Sequence, residues 1–320
     1  MGGKQEFLAK HGLAENYLQQ AVIWFDPIVE IIIKHQNSAR KTIVVGINGC
    51  QGSGKTTLAD YLCMCLEDKG LKAISISIDD FYLTRQERQK LAVDVHPLFL
   101  TRGVPGTHDL ELAMETLQQL SNKHGCVQVP KFNKAQDERY PMEQWQKVEA
   151  PVDIIILEGW CVGITAEEEE SLEQPINELE ETQDSEGIWR RYINDQLMTH
   201  YPALWKQIDR LIMLQAPSFN CVYEWRLEQE EKLKLKIEES NISQDSSANK
   251  IMSPENIHRF IQHYERLTLH ALEHLTKTCQ HLFKLTDSRQ VITYQTPTPL
   301  TSDTQYGLQN VVRENLGGSL

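Results

Sequence analysis

No run of about 18 apolar residues occurs in the chain, so a helix able to cross a membrane is not expected. The best stretch, Ala21 to Ile33, is interrupted by Asp26, Pro27 and Glu30. The N-terminus also lacks the basic, then apolar, then small-residue order of a signal peptide, and the expectation is a soluble, cytoplasmic protein. Among the seven cysteines (Cys50, Cys63, Cys65, Cys126, Cys161, Cys221, Cys279) there is no C-x-x-C pair and no histidine at zinc-finger spacing. That pattern points to reduced structural thiols and away from a bound metal or a disulfide framework. Basic charge is short as well, with 32 Lys and Arg against 45 Asp and Glu for a net charge of −13. Without a basic-aromatic stripe, a nucleic-acid partner is disfavoured. Most of that charge is local, because ten acidic residues and no Lys or Arg lie between Glu167 and Glu186. No internal repeat is found, which excludes a solenoid.

What remains is an ordinary globular composition over 320 residues. Residues up to about Ser38 read as an apolar-striped helical lead-in, Phe7 to Ile33. A buried-type strand, Thr42 to Ile47, runs into glycines, and a helix from Lys55 to about Lys69 stops at Gly70. Further strands are expected at Ala73 to Ile78, Val127 to Val129, Val152 to Leu157 and Leu211 to Leu214, with a last pair near Leu282 to Leu285 and Gln290 to Tyr294. The expected helices are Asp109-capped to about Lys123, Ile188 to Ile208, Cys221 to about Glu239, and one opened by Ser253-Pro254 that reaches about Gln280. Strands alternating with helices predict a doubly wound α/β fold, a mostly parallel sheet covered by helices on both faces, with ligands at the carboxyl ends of the strands.

Gly49-Cys50-Gln51-Gly52-Ser53-Gly54-Lys55-Thr56 satisfies G-x-x-x-x-G-K-[ST] between a predicted strand and a predicted helix. Its glycines let backbone N–H groups turn inward around the phosphates of a nucleoside triphosphate, and the helix N-terminus adds its positive end. Lys55 is suited to bridge the β- and γ-phosphates and the Thr56 hydroxyl to ligate Mg²⁺, with Thr57 completing the phosphate site. This predicts the fold of the P-loop nucleoside triphosphate hydrolases. A GTPase would need N-K-x-D, but Asn133-Lys134-Ala135-Gln136 lacks the aspartate, and the one D-x-x-G, Asp184 to Gly187, lies in the acidic segment. Phosphoryl transfer to a hydroxyl needs a proton acceptor and a metal-binding carboxylate. Asp79 ends the strand after the P-loop helix and suits the first role, Asp80 beside it suits metal or substrate, and Glu158 ends an apolar strand as a Walker-B-type acid should.

Five further segments carry a resemblance: Ile78-Asp79-Asp80-Phe81-Tyr82-Leu83-Thr84, Arg102 to Asp109, Val129 to Lys134, Leu157-Glu158-Gly159-Trp160 and Tyr223 to Glu228. They resemble the plant-type D-glycerate 3-kinase family, part of the wider phosphoribulokinase, uridine kinase and pantothenate kinase group. The likeness runs from about Ile43 to about Ile292, and Asp287-Ser288-Arg289 resembles a C-terminal family segment. It implies ATP and Mg²⁺, and phosphorylation of D-glycerate to 3-phosphoglycerate. It implies Asp79 as catalytic base, Glu158 (with Thr56 and Asp79) at the metal, and Arg226 on a lid helix that closes over the phosphates, which Lys232, Lys234 and Lys236 extend. For the substrate it implies Asp80, Tyr82, Arg102, His108, Asp109, Lys131 and Arg139, with Arg102, His108, Lys131 and Arg139 as cations for the glycerate carboxylate. One departure stands out: Arg139 follows Asp137-Glu138 where the family has Gly-Asp.

The domain reading is then a helical extension over 1–40, a P-loop kinase domain over 41–295 with an acidic insert at 164–187 and a lid at 219–253, and a tail over 296–320. Rival readings are a kinase for a nucleoside, pantothenate or another sugar acid, and an ATP-binding switch or assembly factor that docks a partner through its acidic insert. The sequence leaves the oligomeric state open, a monomer being compatible with it.

Overall fold

The computed structural model of the chain describes residues 2–239 and 252–297. Three helices, α1 (Gly2–His11), α2 (Asn16–Trp24) and α3 (Asp26–Ala39), precede the first strand. The lead-in is therefore not one helix: Gly12, at φ +61°, ends α1, and Pro27 lies in the first turn of α3, where a missing N–H costs nothing. There follow β1 (Ile43–Gly49), α4 (Lys55–Asp68), β2 (Ala73–Ser77), α5 (Arg85–Asp94) and α6 (Leu110–Asn122). Next come β3 (Gly125–Val129), β4 (Phe132–Asn133), β5 (Glu138–Arg139), β6 (Gln146–Ala150) and β7 (Ile154–Gly159). The C-terminal part holds α7 (Glu178–Gln183), α8 (Ile188–Thr199), α9 (Tyr201–Trp205), β8 (Arg210–Gln215), α10 (Asn220–Glu239), α11 (Pro254–His270), β9 (His281–Leu285) and β10 (Val291–Gln295).

Six strands form one sheet in the order β10-β9-β8-β1-β7-β2, parallel except for the edge strand β10. Side chains alternate across such a sheet, so each central strand feeds two cores. In β7, Ile155 and Leu157 enter a core built with α6, α8 and α11, while Ile154 and Ile156 enter the opposite one with α3 and α4. Ile28, Val29, Ile31 and Ile32 of α3 are buried in that second core, so the N-terminal helices form the layer covering one face of the sheet. Strand β1 sits between β7 and β8, and its C-terminal end is where phosphate ligands of such sheets are held.

Several expectations are corrected. Strand β3 stays out of the main sheet and pairs with β6 in a separate two-stranded ribbon. The helix expected over Ile188 to Ile208 breaks after Thr199, because Pro202 cannot donate to the carbonyl four residues back and opens a new turn instead. The helix opened by Ser253 forms as expected, passing at Ala271–Leu275 through a π turn and ending at Thr278. Within the acidic segment, to which the sequence assigns no role in the fold, Glu180 and Asp184 are buried: Asp184 pairs with Arg190 at 3.0 Å and Glu180 with Arg266 at 2.6 Å. All seven cysteines are free thiols. Among the described residues no helix is long and apolar enough to cross a membrane. The side chains of Lys232, Lys234 and Lys236, residues 240–251 of the expected lid and 298–320 of the expected tail lie outside the described residues.

Candidate active site

Strand β1 runs directly into the P-loop, and α4 begins at Lys55. Gly52 (φ +80°) and Gly54 (φ +91°) lie in the left-handed region, which only glycine enters freely. A Cβ on Gly52 would come within 2.6 Å of Trp225, and one on Gly49 within 2.5 Å of the Ser53 hydroxyl. The loop is braced from outside. Arg289, in the turn between β9 and β10, donates from Nε to the Gly52 carbonyl at 2.7 Å and lies 5.2 Å from the Trp225 ring centre. Trp225 in turn donates to the Asp287 carbonyl at 2.6 Å. The buried Ser53 hydroxyl has no hydrogen-bond partner, which suits a loop shaped to receive oxygen atoms.

Parallel pairing aligns Ile47 with Glu158 and Asn48 with Gly159, which brings Glu158 beside the loop. The Thr56 hydroxyl donates to Glu158 Oε1 at 2.8 Å, while Glu158 Oε2 is buried without a partner. Burial raises the Glu158 pKa, and the Lys55 charge works against that rise. An unshared carboxylate oxygen beside a threonine hydroxyl fits a hard cation. Among the described residues no group of three or more His, Cys, Asp or Glu converges. Such a cation would then be held mainly by Thr56, Glu158 and phosphate oxygens, the arrangement that Mg²⁺ favours over an all-protein cage.

Asp79 stands in a 3₁₀ turn, Ile78–Phe81, capped by the Ser77 hydroxyl, which accepts from the Asp79 N–H at 3.3 Å. Its carboxylate accepts from Tyr82 at 2.8 Å and from Lys134 Nζ at 2.5 Å. Burial alone would raise its pKa, but the Lys134 and Lys55 charges and the Tyr82 hydrogen bond outweigh it and hold Asp79 well below the usual carboxylate range. Asp79 is thus an ionised acceptor at neutral pH, turned toward Lys134 and Tyr82. Of the three residues expected at a cation, Thr56 and Glu158 are in direct contact.

Lys134 escaped the sequence reading as a site residue although it closes the Val129 to Lys134 segment. It sits on the tip of the β4–β5 hairpin, and that hairpin is pinned down by the residues expected to hold substrate. Lys131 pairs with Asp80 at 2.8 Å, Asp80 also accepts from the Phe132 N–H, and Arg139 reaches Asp109 at 3.1 Å and the Tyr82 carbonyl at 3.0 Å. Asp109 is at the same time the N-cap of α6. The departure at Asp137 is resolved here. Asp137 takes φ +56°, a conformation that aspartate tolerates where glycine is otherwise used, and its carboxylate pairs with both Arg88 and Arg102.

His108 requires a correction. It is buried, bonded through Nδ1 to the Tyr201 hydroxyl at 2.7 Å and stacked 4.8 Å from Tyr82. Burial pushes its pKa down to about 4 even against the opposing charge of Asp79. It is a neutral polar group at physiological pH and cannot serve as a cation for a carboxylate. Its unpartnered Nε2 is buried. Arg226 lies on α10, paired with Glu230 and Gln229 and 5.8 Å from the Phe260 ring centre. Gly103, in the segment that carries Arg102, takes φ +136°, and a Cβ there would strike the Tyr264 hydroxyl at 2.3 Å. A cavity of about 410 Å³ is lined by Thr56, Glu158, Asp80 and Lys131, together with Lys10 and His11 of α1.

Comparison with known proteins agrees with this geometry. The model of the phosphoribulokinase and uridine kinase family matches residues 44–178. An uncharacterized kinase, mug58, of Schizosaccharomyces pombe is 32% identical over 249 residues, covering 75% of this chain and 84% of that protein. The chloroplastic D-glycerate 3-kinase of Arabidopsis thaliana is 31% identical over 231 residues, 69% of this chain, which spans only about half (46%) of that longer protein. Among solved structures, the D-glycerate 3-kinase of Cryptococcus neoformans superposes with a TM-score of 0.67 at 26% identity, covering 84% of this chain and 97% of that one. A P-loop joined to a strand-end Asp79 and a Thr56–Glu158 pair, in a chain so covered by these relatives, is the apparatus of a phosphotransferase acting on an alcohol group, and the chain belongs to the phosphoribulokinase and uridine kinase family.

Proposed function

We propose that the chain uses ATP and Mg²⁺ to phosphorylate D-glycerate at its 3-hydroxyl. The observation that carries this reading is the Asp79–Lys134 pair, a proton acceptor and a cation 2.5 Å apart, as an acceptor with both a hydroxyl and a carboxylate requires. In the resting protein each group neutralises the other. A hydroxy acid supplies both replacements: its carboxylate takes Lys134 and its hydroxyl donates to Asp79. As Lys134 turns to the substrate, Asp79 regains proton affinity and accepts the hydroxyl proton while the oxygen attacks the γ-phosphorus and the bond to the β,γ-bridging oxygen breaks. Mg²⁺, held at Thr56 and Glu158, would neutralise charge on the phosphate oxygens.

Lys55 and the P-loop amides would orient the phosphates. The Lys131–Asp80, Arg139–Asp109 and Arg88–Asp137–Arg102 contacts hold the hairpin, so Lys134 is presented from a fixed base. His108 and Tyr82 form a neutral wall at Asp79. On this reading α10, with Arg226, belongs to a lid whose closure excludes water, so that hydrolysis does not compete with transfer. The likeness to D-glycerate 3-kinases supports the choice of acceptor. Phosphorus NMR of a reaction with ATP and D-glycerate tests it: the expected product is 3-phosphoglycerate, whereas phosphate on the 2-hydroxyl or no phosphoglycerate at all would contradict the assignment.

A further inference from the structure

Helix α11 makes polar contacts in two directions. Toward the acidic segment, Arg266 donates to the Ser171 and Gln174 carbonyls at 2.8 Å, and the Gln262 side chain accepts from the Leu179 N–H at 3.1 Å. Toward the active site the helix presents Tyr264, which is buried. The Tyr264 hydroxyl donates to the Arg102 carbonyl at 3.1 Å. The next carbonyl, that of Gly103, accepts from Trp160 Nε1 at 2.9 Å, and the Trp160 and Tyr264 rings meet edge to face at 4.9 Å. Two successive carbonyls are thus fixed by two donors. One donor comes from α11, and the other follows directly on β7, the strand that carries Glu158.

The backbone held in this way carries a side chain that reaches the acceptor hairpin. Arg102 Nη2 donates to the Lys134 carbonyl at 3.3 Å, Nη1 pairs with the Asp137 carboxylate, and the guanidinium carbon lies 5.5 Å from the Phe132 ring centre. Lys134 therefore hangs from a short series of bonds that starts on α11: Tyr264 hydroxyl to Arg102 carbonyl, then Arg102 guanidinium to Lys134 carbonyl. The same tyrosine also touches the α10 side. Its ring centre lies 5.1 Å from that of Phe260, the ring beneath Arg226. A buried hydroxyl–carbonyl bond fixes direction as well as distance. Catalytic and binding groups are sensitive to such support, because a misplacement of about 1 Å is enough to lower turnover severely.

We propose that Tyr264 is a positioning residue for the acceptor: it fixes the Arg102 carbonyl so that Arg102 presents Lys134 at the separation from Asp79 that a hydroxy acid must span. The inference rests on the reading of Lys134 as receiver of the acceptor carboxylate, and adds how that lysine is kept in register with Asp79. The acidic segment enters as the anchor of the helix that carries Tyr264.

Steady-state kinetics of the full chain test it through Tyr264→Phe, which removes the hydroxyl and keeps the ring against Trp160 and Phe260. KM for D-glycerate should rise about threefold or more, with kcat and KM for ATP within about twofold of wild type. A tyrosine that merely supports the fold would shift both substrates together. The decisive comparison is a double-mutant cycle with Lys134→Met, since the hydroxyl acts through that lysine. In the Lys134→Met background, Tyr264→Phe should leave KM for D-glycerate within about 1.5-fold of Lys134→Met alone. Unchanged KM for D-glycerate in the single variant, or the same rise in both backgrounds, overturns the inference alone. Equal losses for ATP and D-glycerate, or a variant that does not fold, also overturn it, because the hydroxyl is then a prop of the fold. A wild type that does not phosphorylate D-glycerate, or a Lys134→Met variant with unchanged KM for it, overturns the inference together with the acceptor reading.

Discussion

Replacing Lys134 by methionine separates its observed role, partner of Asp79, from the one proposed for it, receiver of the acceptor carboxylate. Lys134 is 61% exposed while Asp79 is largely covered, so solvent screens the pair and its loss should cost stability about 1 kcal/mol or less. Binding is a different matter. A charge-assisted hydrogen bond to a substrate carboxylate contributes about 1.5–3 kcal/mol, which corresponds to roughly 10- to 150-fold in affinity. Steady-state kinetics with ATP and D-glycerate should therefore show KM for glycerate rising at least tenfold in Lys134→Met, with KM for ATP within about twofold. Lys134→Arg should recover part of the loss, since it restores the charge with a different fork geometry. Unchanged KM for glycerate, or equal losses for both substrates, would refute the reasoning that this lysine exchanges Asp79 for the acceptor.

Glu158→Gln keeps the size of the side chain but removes the charge beside Thr56; kcat should fall about 100-fold or more, and raising the Mg²⁺ concentration should recover part of it, as kinetics over a Mg²⁺ series would reveal. The Arg190–Asp184 pair has both side chains essentially inaccessible, at 1% and 0% exposure, and Arg190→Met should destabilise the fold by about 3–5 kcal/mol in urea denaturation, because it strands a buried carboxylate. His108 and His281 are held neutral by burial, with pKa values pushed down to about 4 and about 3. Between those values and the ordinary 6.5 the unfolded chain binds the extra protons. Stability should thus fall as pH drops below 6.5, each histidine adding up to about 1.4 kcal/mol per pH unit. Glu167, raised to about 7 mainly by burial, has the opposite sign and loses its contribution as pH rises toward 7. Urea midpoints between pH 7 and 4.5 should accordingly have a shallower acid slope in His281→Gln than in wild type.

What could be read from the chain was what depends on local pattern. The P-loop has a fixed spacing, Asp79 and Glu158 end apolar runs, and Asp109 and Ser253 precede helices as N-caps must, the last two confirmed by their bonds to Leu112 and Asn256. Helix α5 is missing from the sequence reading: its one local signal is the capping box of Thr84 and Glu87, and it carries only Arg88 and Ala92 buried, too short a stripe to announce a helix. The partners of the charged residues were not legible. Lys131, Arg102 and Arg139 looked like free cations for a substrate, and only the folded hairpin reveals that Asp80, Asp137 and Asp109 occupy them. The same holds for the acidic segment, where composition counts charges but burial against Arg190 and Arg266 decides their meaning. For His108 the sequence offers the residue, while its protonation is set by packing under Tyr82 and Tyr201.

The most direct test of the central claim is ADP release by the wild-type chain and by Asp79→Asn, measured with ATP and Mg²⁺ against D-glycerate, L-glycerate, uridine and pantothenate in turn. Asp79 as the base for a glycerate hydroxyl predicts acceleration by D-glycerate alone, reduced about 10²- to 10⁴-fold in the variant. Acceleration by uridine or pantothenate instead, by no acceptor at all, or undiminished turnover in Asp79→Asn, would contradict it.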